Sequence, residues 1–219
     1  MRPEGNQGPL ARSLDGYESY LNGYAQTWEL QALTKARFVA GDAGVADRYA
    51  DLAQRFVYRD PFPEEWRREI RRMKARIERE RIPPGEDPQF HLKLGRGSLS
   101  DVEFTVQLEQ LAHGGTHPEV REPSTLRALD ALVKLEVIAP EDGDALRASF
   151  VLCERARNYR YLLTGSPSDA LPTDGAEAEK LARMLGYTHR PQQSLREDYR
   201  RVTRRARAVV ERIFYARED

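Results

Sequence analysis

The sequence predicts an all-α fold, a helical bundle of about eight helices. Three observations carry that reading. Apolar residues recur three and four positions apart through most of the chain, the spacing of a one-sided helix. The alternation that a half-buried strand needs is confined to residues 90–94 (FHLKL). Proline and paired glycines gather between the periodic stretches, where helices start and stop.

Residues 1–13 read as loop, punctuated by Pro3, Gly5, Gly8 and Pro9. Ser13 or Asp15 supplies a side-chain cap for a first helix running to about Gln26. Residues 28–37 (WELQALTKAR) form a second short helix or a helix-to-strand transition, ended by Gly41 and Asp42. Residues 43–58 form a third, with Val45, Tyr49, Leu52 and Phe56 in one line. After the break at Asp60-Pro61-Phe62-Pro63, residues 64–81 read as a highly charged helix. It is acidic at its start and basic beyond, as the helix dipole favours. Its apolar seam is narrow: Trp66, Ile70, Met73 and Ile77.

The Pro-rich stretch 82–89 (IPPGEDPQ) is the predicted seam between subdomains. Residues 90–94 predict a short strand, and Gly95-Arg96-Gly97-Ser98 a turn. Ser100 and Glu103 have capping-box spacing for a helix over 101–113, which Gly114-Gly115 end. Pro123-Ser124 open a helix with Leu126, Leu129, Leu132 and Val133 on a broad apolar face. Pro140 opens a long one lined by Leu146, Phe150, Cys153, Ala156, Tyr159 and Leu163. A loop over 165–172 leads to a short helix over 177–185, closed by Gly186, and a final helix over 194–216.

Composition narrows the function. Of 219 residues, 35 are basic and 35 acidic, so the net charge is zero, which argues against a general nucleic-acid or membrane binder. No apolar run approaches the length of a membrane span, and the N-terminal stretch lacks the apolar centre of a signal peptide. The single cysteine permits no internal disulfide, and a reducing, cytoplasmic setting fits it. Within the balance, 30 of the 35 cations are arginine. Composition bias of the source is sufficient to explain that; the functional reading is anion recognition by the guanidinium fork.

The motifs of metal hydrolysis, nucleophile elbows and dinucleotide or P-loop binding are absent. His113 and His117 are four apart but separated by Gly114-Gly115, so they do not form a helical ligand pair. Cys153 lies on an apolar stripe and reads as core. Two readings stand for residues 91–98 (HLKLGRGS): a phosphate contact through turn N–H groups and Lys93, or an ordinary turn before a capped helix. Glu103 likewise either serves the cap or joins Gln107 and Gln110 in a stripe facing a polar cleft. Asp101, two residues earlier, points to another side of the helix, so the two carboxylates are not an acid–base dyad. The final helix carries seven arginines over 196–212 against Glu197, Asp198 and Glu211. That is a solvated face with internal pairs, or a surface for an acidic partner. Nucleic acid is the weaker occupant, since no aromatic residues interleave with those arginines to stack on bases.

Taken together and in order, several segments resemble bacterial glutamine synthetase adenylyltransferase. They are RPEGNQGPL at 2–10, LDGYESY at 14–20, WELQALTKAR at 28–37, VAGD at 39–42, and KLGRGSLSDVEFTVQ at 93–107. The resemblance runs from Arg2 to the end of the chain. It implies a cytoplasmic enzyme that moves AMP from ATP to a tyrosine of glutamine synthetase and is regulated by a PII signalling protein and glutamine. It implies residues 1–60 as the tail of a nucleotidyltransferase domain and 61–219 as a helical bundle domain. The segments Arg155-Ala156-Arg157-Asn158 and Leu171-Pro172 resemble the C-terminal, adenylylating half, with the adenylyl-removing half as the alternative.

In that family the carboxylates that hold magnesium precede the R-P-E-G segment. The resemblance therefore implies that this chain lacks them, binds neither Mg2+ nor ATP tightly, and is inactive alone. Nucleotide- or substrate-binding candidates follow by position. Arg2 lies nearest the absent carboxylates. Lys35 and Arg37 lie near the phosphates or the substrate tyrosine. Lys93, Asp101 and Glu103 line the active-site side of the helical domain. Ser98 stands where the family pattern commonly has glycine. The competing class is a non-catalytic helical module that docks glutamine synthetase or the PII protein.

Overall fold

The computed structural model describes residues 8–215. Among them are nine α-helices and no strand: α1 Leu14–Gly23, α2 Thr27–Leu33, α3 Ala43–Val57, α4 Glu64–Glu80, α5 Leu99–His113, α6 Thr125–Lys134, α7 Pro140–Thr164, α8 Gly175–Met184 and α9 Pro191–Ile213. The all-α fold is as the periodicity predicts. The stretch 90–94 is not a strand. Pro88–Phe90 make a 3-10 turn, and only one antiparallel bridge, His91 to Ala170, forms. Phe90, His91 and Leu92 are all buried, so the alternation marks a packed connector rather than one face of a sheet.

The chain divides into two compact units, as far as its residues are described. One comprises Met1–Ile70 and Val106–Lys134, the other Arg71–Thr105 and Leu135–Asp219.

In the first unit, α1 and α2 pack on α3. Ser13 caps α1 by accepting the Gly16 N–H at 3.1 Å, and Asp42 caps α3 by accepting that of Val45 at 2.8 Å. A cap of this kind contributes about 1 kcal/mol. The buried Glu29 holds the start of α2: it accepts the Gln26 N–H at 2.9 Å and the Tyr20 hydroxyl at 2.8 Å. Gln110 donates to the carbonyls of Val120 and Glu122, fastening the 3-10 turn Pro118–Val120 to α5. Tyr20, Leu30, Val57, Ile70, Leu108, Leu111, Leu129 and Leu132 form the core.

In the second unit, α7, α8 and α9 pack mutually. The first four residues of the predicted α7 stripe, Leu146, Phe150, Cys153 and Ala156, are buried against Leu181, Tyr199, Val202 and Ala206 in one core, while Tyr159 and Leu163 beyond them are only half-buried. Gly165, in the left-handed region at φ 67°, closes α7. Gly97, at φ 75°, fits where no other residue would, since a Cβ there would lie 1.9 Å from the Thr203 carbonyl oxygen of α9. Ser98, beside it, does not need a positive φ.

The start of α5 departs from the capping-box expectation. The helix begins at Leu99, and Ser100 lies inside it with its N–H on the Lys93 carbonyl. Its hydroxyl sits 3.1 Å from Lys74 Nζ, and the Ser98 hydroxyl bonds the Gly95 carbonyl at 2.6 Å. A buried lysine facing this end of the helix takes the hydroxyl that a solvent-exposed helix would use as its cap.

Candidate functional site

The chemistry of the second unit centres on a buried ionic network. Lys74 of α4 and Asp101 of α5 are both fully buried, with Lys74 Nζ 2.5 Å from Asp101 Oδ1. Lys74 also reaches Glu78 Oε1 at 2.7 Å. Arg207 of α9 approaches Asp101 Oδ2 at 3.0 Å and Glu78 at 3.4 Å, while its Nε holds Glu211 at 2.5 Å. The second Asp101 oxygen also accepts the Gly97 N–H at 2.6 Å. Asp101 thus ties three segments together: α4 through Lys74, α9 through Arg207 and the turn 95–98 through its backbone.

Burial alone would raise the Asp101 carboxyl. The Lys74 charge, hydrogen bonds from Lys74 and Gly97, and the Arg207 charge outweigh it and hold the group below the ordinary carboxylate value. Burial disfavours the Arg207 charge too, but Asp101 and Glu78 more than compensate, and its pKa rises. Both groups are therefore fixed as ions. Asp101 is a structural anion with no lone proton to exchange at neutral pH.

The turn itself has little left to give an anion from its backbone. The N–H groups of Lys93 and Leu94 point at His91 Nδ1 at 3.2 and 2.9 Å, and that of Gly95 goes to the His91 carbonyl. Those of Ser98, Leu99 and Ser100 bond the Gly95, Leu92 and Lys93 carbonyls. The anion that the turn binds is the chain's own Asp101. Burial lowers the His91 pKa, and its Nε2 lies 3.3 Å from Glu86.

The sequence-derived candidates fall as follows. Arg2 lies outside the described residues. In the first unit, Lys35 is half-buried with Nζ 2.5 Å from Thr125 Oγ1, and Arg37 is exposed. In the second, Lys93 is exposed, Glu103 is half-buried on α5, and Asp101 is the buried hub. Lys93 and Asp101 meet through the turn, since Lys93 accepts the Ser100 N–H and Asp101 holds Gly97. Sequence reasoning missed Lys74, and counted Arg207 only among the arginines of the final helix without its tie to Asp101. The signal for Lys74 was present: it continues the i, i+4 line of Trp66 and Ile70, a position where a charge on a helix seam has to be buried.

Among the described residues no helix is long and apolar enough to cross a membrane. Nor does any group of three His, Cys, Asp or Glu side chains among them form a metal site.

Residues 65–215 match a family described as GlnD PII-uridylyltransferase, and residues 1–52 one described as glutamate-ammonia ligase adenylyltransferase. Both descriptions name nucleotidyltransferases. A bifunctional glutamine synthetase adenylyltransferase/adenylyl-removing enzyme of Leifsonia xyli is 48% identical over 98% of this chain, which covers 21% of that protein. The enzyme of the same description from Streptomyces avermitilis is 46% identical over 98% of this chain, covering 22% of its own length. That from Mycobacterium avium is 43% identical, again over 98% of this chain and 22% of its own length. The chain belongs to the glutamine synthetase adenylyltransferase family. It spans about a fifth of the length of these relatives.

Proposed function

We propose that this chain is part of a cytoplasmic enzyme that transfers AMP from ATP to a tyrosine of glutamine synthetase, under the control of a PII signalling protein. The observation that carries this reading is the 48% identity over 98% of the chain to an enzyme described by that activity. On this reading residues 1–60 are the tail of a nucleotidyltransferase domain and 61–219 its helical partner, from the adenylylating half. The exposure of Trp28 (50%), Phe38 (54%) and Val39 (75%) supports the first assignment, because side chains of this size normally pack on something.

The residues present do not fit a magnesium site. Asp101 is closed by Lys74 and Arg207, and the remaining carboxylates form no cluster among the described residues. Magnesium and ATP then belong to carboxylates elsewhere in the longer enzyme. The purified chain with Mg-ATP and glutamine synthetase should incorporate no AMP, and a measurable rate would defeat this proposal. In the full-length enzyme, Lys93→Ala and Glu103→Ala should each lower adenylylation at least tenfold with the fold intact. Wild-type rates from both would remove them from the site. On this reading Lys35 and Arg37 act nearer the phosphates or the substrate tyrosine, and the same assay tests them.

The exposed apolar side chains also favour a second reading, a helical module that docks glutamine synthetase or the PII protein without chemistry of its own. Such a module binds its partner in a pull-down without ATP, whereas the catalytic reading requires nucleotide for productive engagement.

A further inference from the structure

A cleft of about 670 Å³ opens in the second unit between the end of α4, the turn 95–98 and one face of α9. Its volume lies within the range of small-molecule sites. Five arginines line it: Arg79 from α4, Arg96 from the turn, and Arg200, Arg204 and Arg207 from α9. The α9 residues are four and three apart and so share one helix face. Arg96 and Arg79 come from other segments, so the convergence is a property of the tertiary fold.

The one carboxylate on the lining, Glu78, is already engaged by Lys74, Arg207 and the Tyr215 hydroxyl at 3.3 Å. Arg207 is likewise bound to Asp101, Glu78 and Glu211. Arg79 pairs with Glu80 at 3.3 Å, while Arg96, Arg200 and Arg204 are not neutralised in this way. Arg200 lies over the Phe90 ring at 4.9 Å, a contact that leaves its charge uncancelled. Arg96 and Arg204 are exposed, and neither has a carboxylate within 4.0 Å among the described residues. Like charges gathered in a concave site raise the local potential and concentrate anions there. Ile82 and Leu94 add an apolar wall.

We propose that this cleft binds a phosphorylated small molecule, with its phosphate groups held by Arg96, Arg200 and Arg204. Phosphate is the chemistry that suits several planar guanidinium forks at once, each able to give two parallel hydrogen bonds. The buried Lys74–Asp101–Arg207 network makes the site rigid. Asp101 pins the turn that presents Arg96 and the helix that presents Arg200 and Arg204, so the forks are arranged before a ligand arrives. The inference does not depend on transfer chemistry or on the carboxylates that chemistry needs.

Isothermal titration of the 219-residue chain with inorganic pyrophosphate and with ATP tests it, with Arg96→Gln/Arg204→Gln as the comparison. Both side chains are exposed, so the double variant should keep its circular dichroism spectrum and melting temperature. The expected result is saturable pyrophosphate binding, weakened at least tenfold by the double variant and by raising the salt from 0.05 to about 0.5 M. Tighter binding of ATP than of pyrophosphate would place the nucleoside on the Ile82–Leu94 wall and support the proposal further. No saturable binding of either probe would overturn it, as would binding that the double variant leaves unchanged. Equal affinity for hexaglutamate would also overturn it, because the cleft would then be a docking place for an acidic segment.

Discussion

The two units distribute charge and apolar surface differently. The second buries charge: Lys74 and Asp101 are wholly enclosed, and every ion of the network has a counter-ion within 3.4 Å. The first exposes apolar surface: Leu10, Tyr24, Trp28, Phe38, Val39 and Val45 are each at least half in solvent. A shallow cavity of about 710 Å³ lies beside Phe38, Val39 and Val45. The second unit presents a cationic cleft and also leaves Tyr161 and Leu162 exposed; the first leaves the longer set of large apolar side chains open. The difference teaches where each unit's specificity resides. A buried ion pair contributes little net stability against an apolar replacement, but losing one partner is costly, so it fixes one arrangement of the helices around it. Exposed aromatic and aliphatic side chains contribute to stability only once something covers them.

The sharpest way to break this contrast is Lys74→Ala. It leaves Asp101 buried with Arg207 as its only side-chain cation, and the expected loss is about 3–5 kcal/mol in denaturant unfolding. A loss below about 1 kcal/mol would mean that water reaches Asp101 and the network is not closed. Gly97→Ala comes next, because its Cβ meets the Thr203 carbonyl and the backbone has a positive φ. About 3 kcal/mol is expected, from strain and the displacement of the turn from α9. Hydrogen exchange should locate the loosening at the turn and the middle of α9.

Acid sharpens the comparison at intermediate size. The folded-state pKa of His91 lies below 6.5, so the unfolded chain takes up its proton first. Its contribution is complete above 6.5 and declines as pH falls from there towards the folded value. The opposing groups around it are Glu86 and Asp169, with Lys93 acting in the other direction. Asp101 is also depressed, so its contribution holds above about 3.8 and is lost as pH falls further through the folded value. His91→Asn should flatten the first decline and leave the second. A pH–stability curve unchanged by that substitution would show that His91 does not titrate with unfolding.

The smallest effect belongs to the open surface of the first unit. Phe38→Ser with Val39→Ser should change unfolding free energy by no more than about 0.5 kcal/mol while reducing self-association seen by light scattering. A larger destabilisation would mean that these side chains are packed, and the contrast between the units would weaken.

Much of the fold was legible from the residues. Ser13 announced its helix because a cap is a local arrangement, settled within four residues; Asp42, read as a helix end, is the cap of α3. The α7 stripe and its Gly165 stop were equally local. The turn 91–98 was visible as unusual, but which anion it serves was not: α5 forms two residues earlier than its capping signal suggests, and Asp101 then accepts the Gly97 N–H. Arg207 is 106 residues from Asp101, and no periodicity links them.

The sequence by itself determined that the chain is helical, where most helices begin and end, and, through its ordered segments, to which family it belongs. These depend on short-range periodicity, caps and the order of residues. Only the tertiary structure decided that Lys74 is buried, that Asp101 is a structural hub rather than an exposed site residue, and that arginines from three segments share one cleft. Burial and charge pairing arise between residues far apart in the chain, and their energies depend on the dielectric and the neighbours that packing creates.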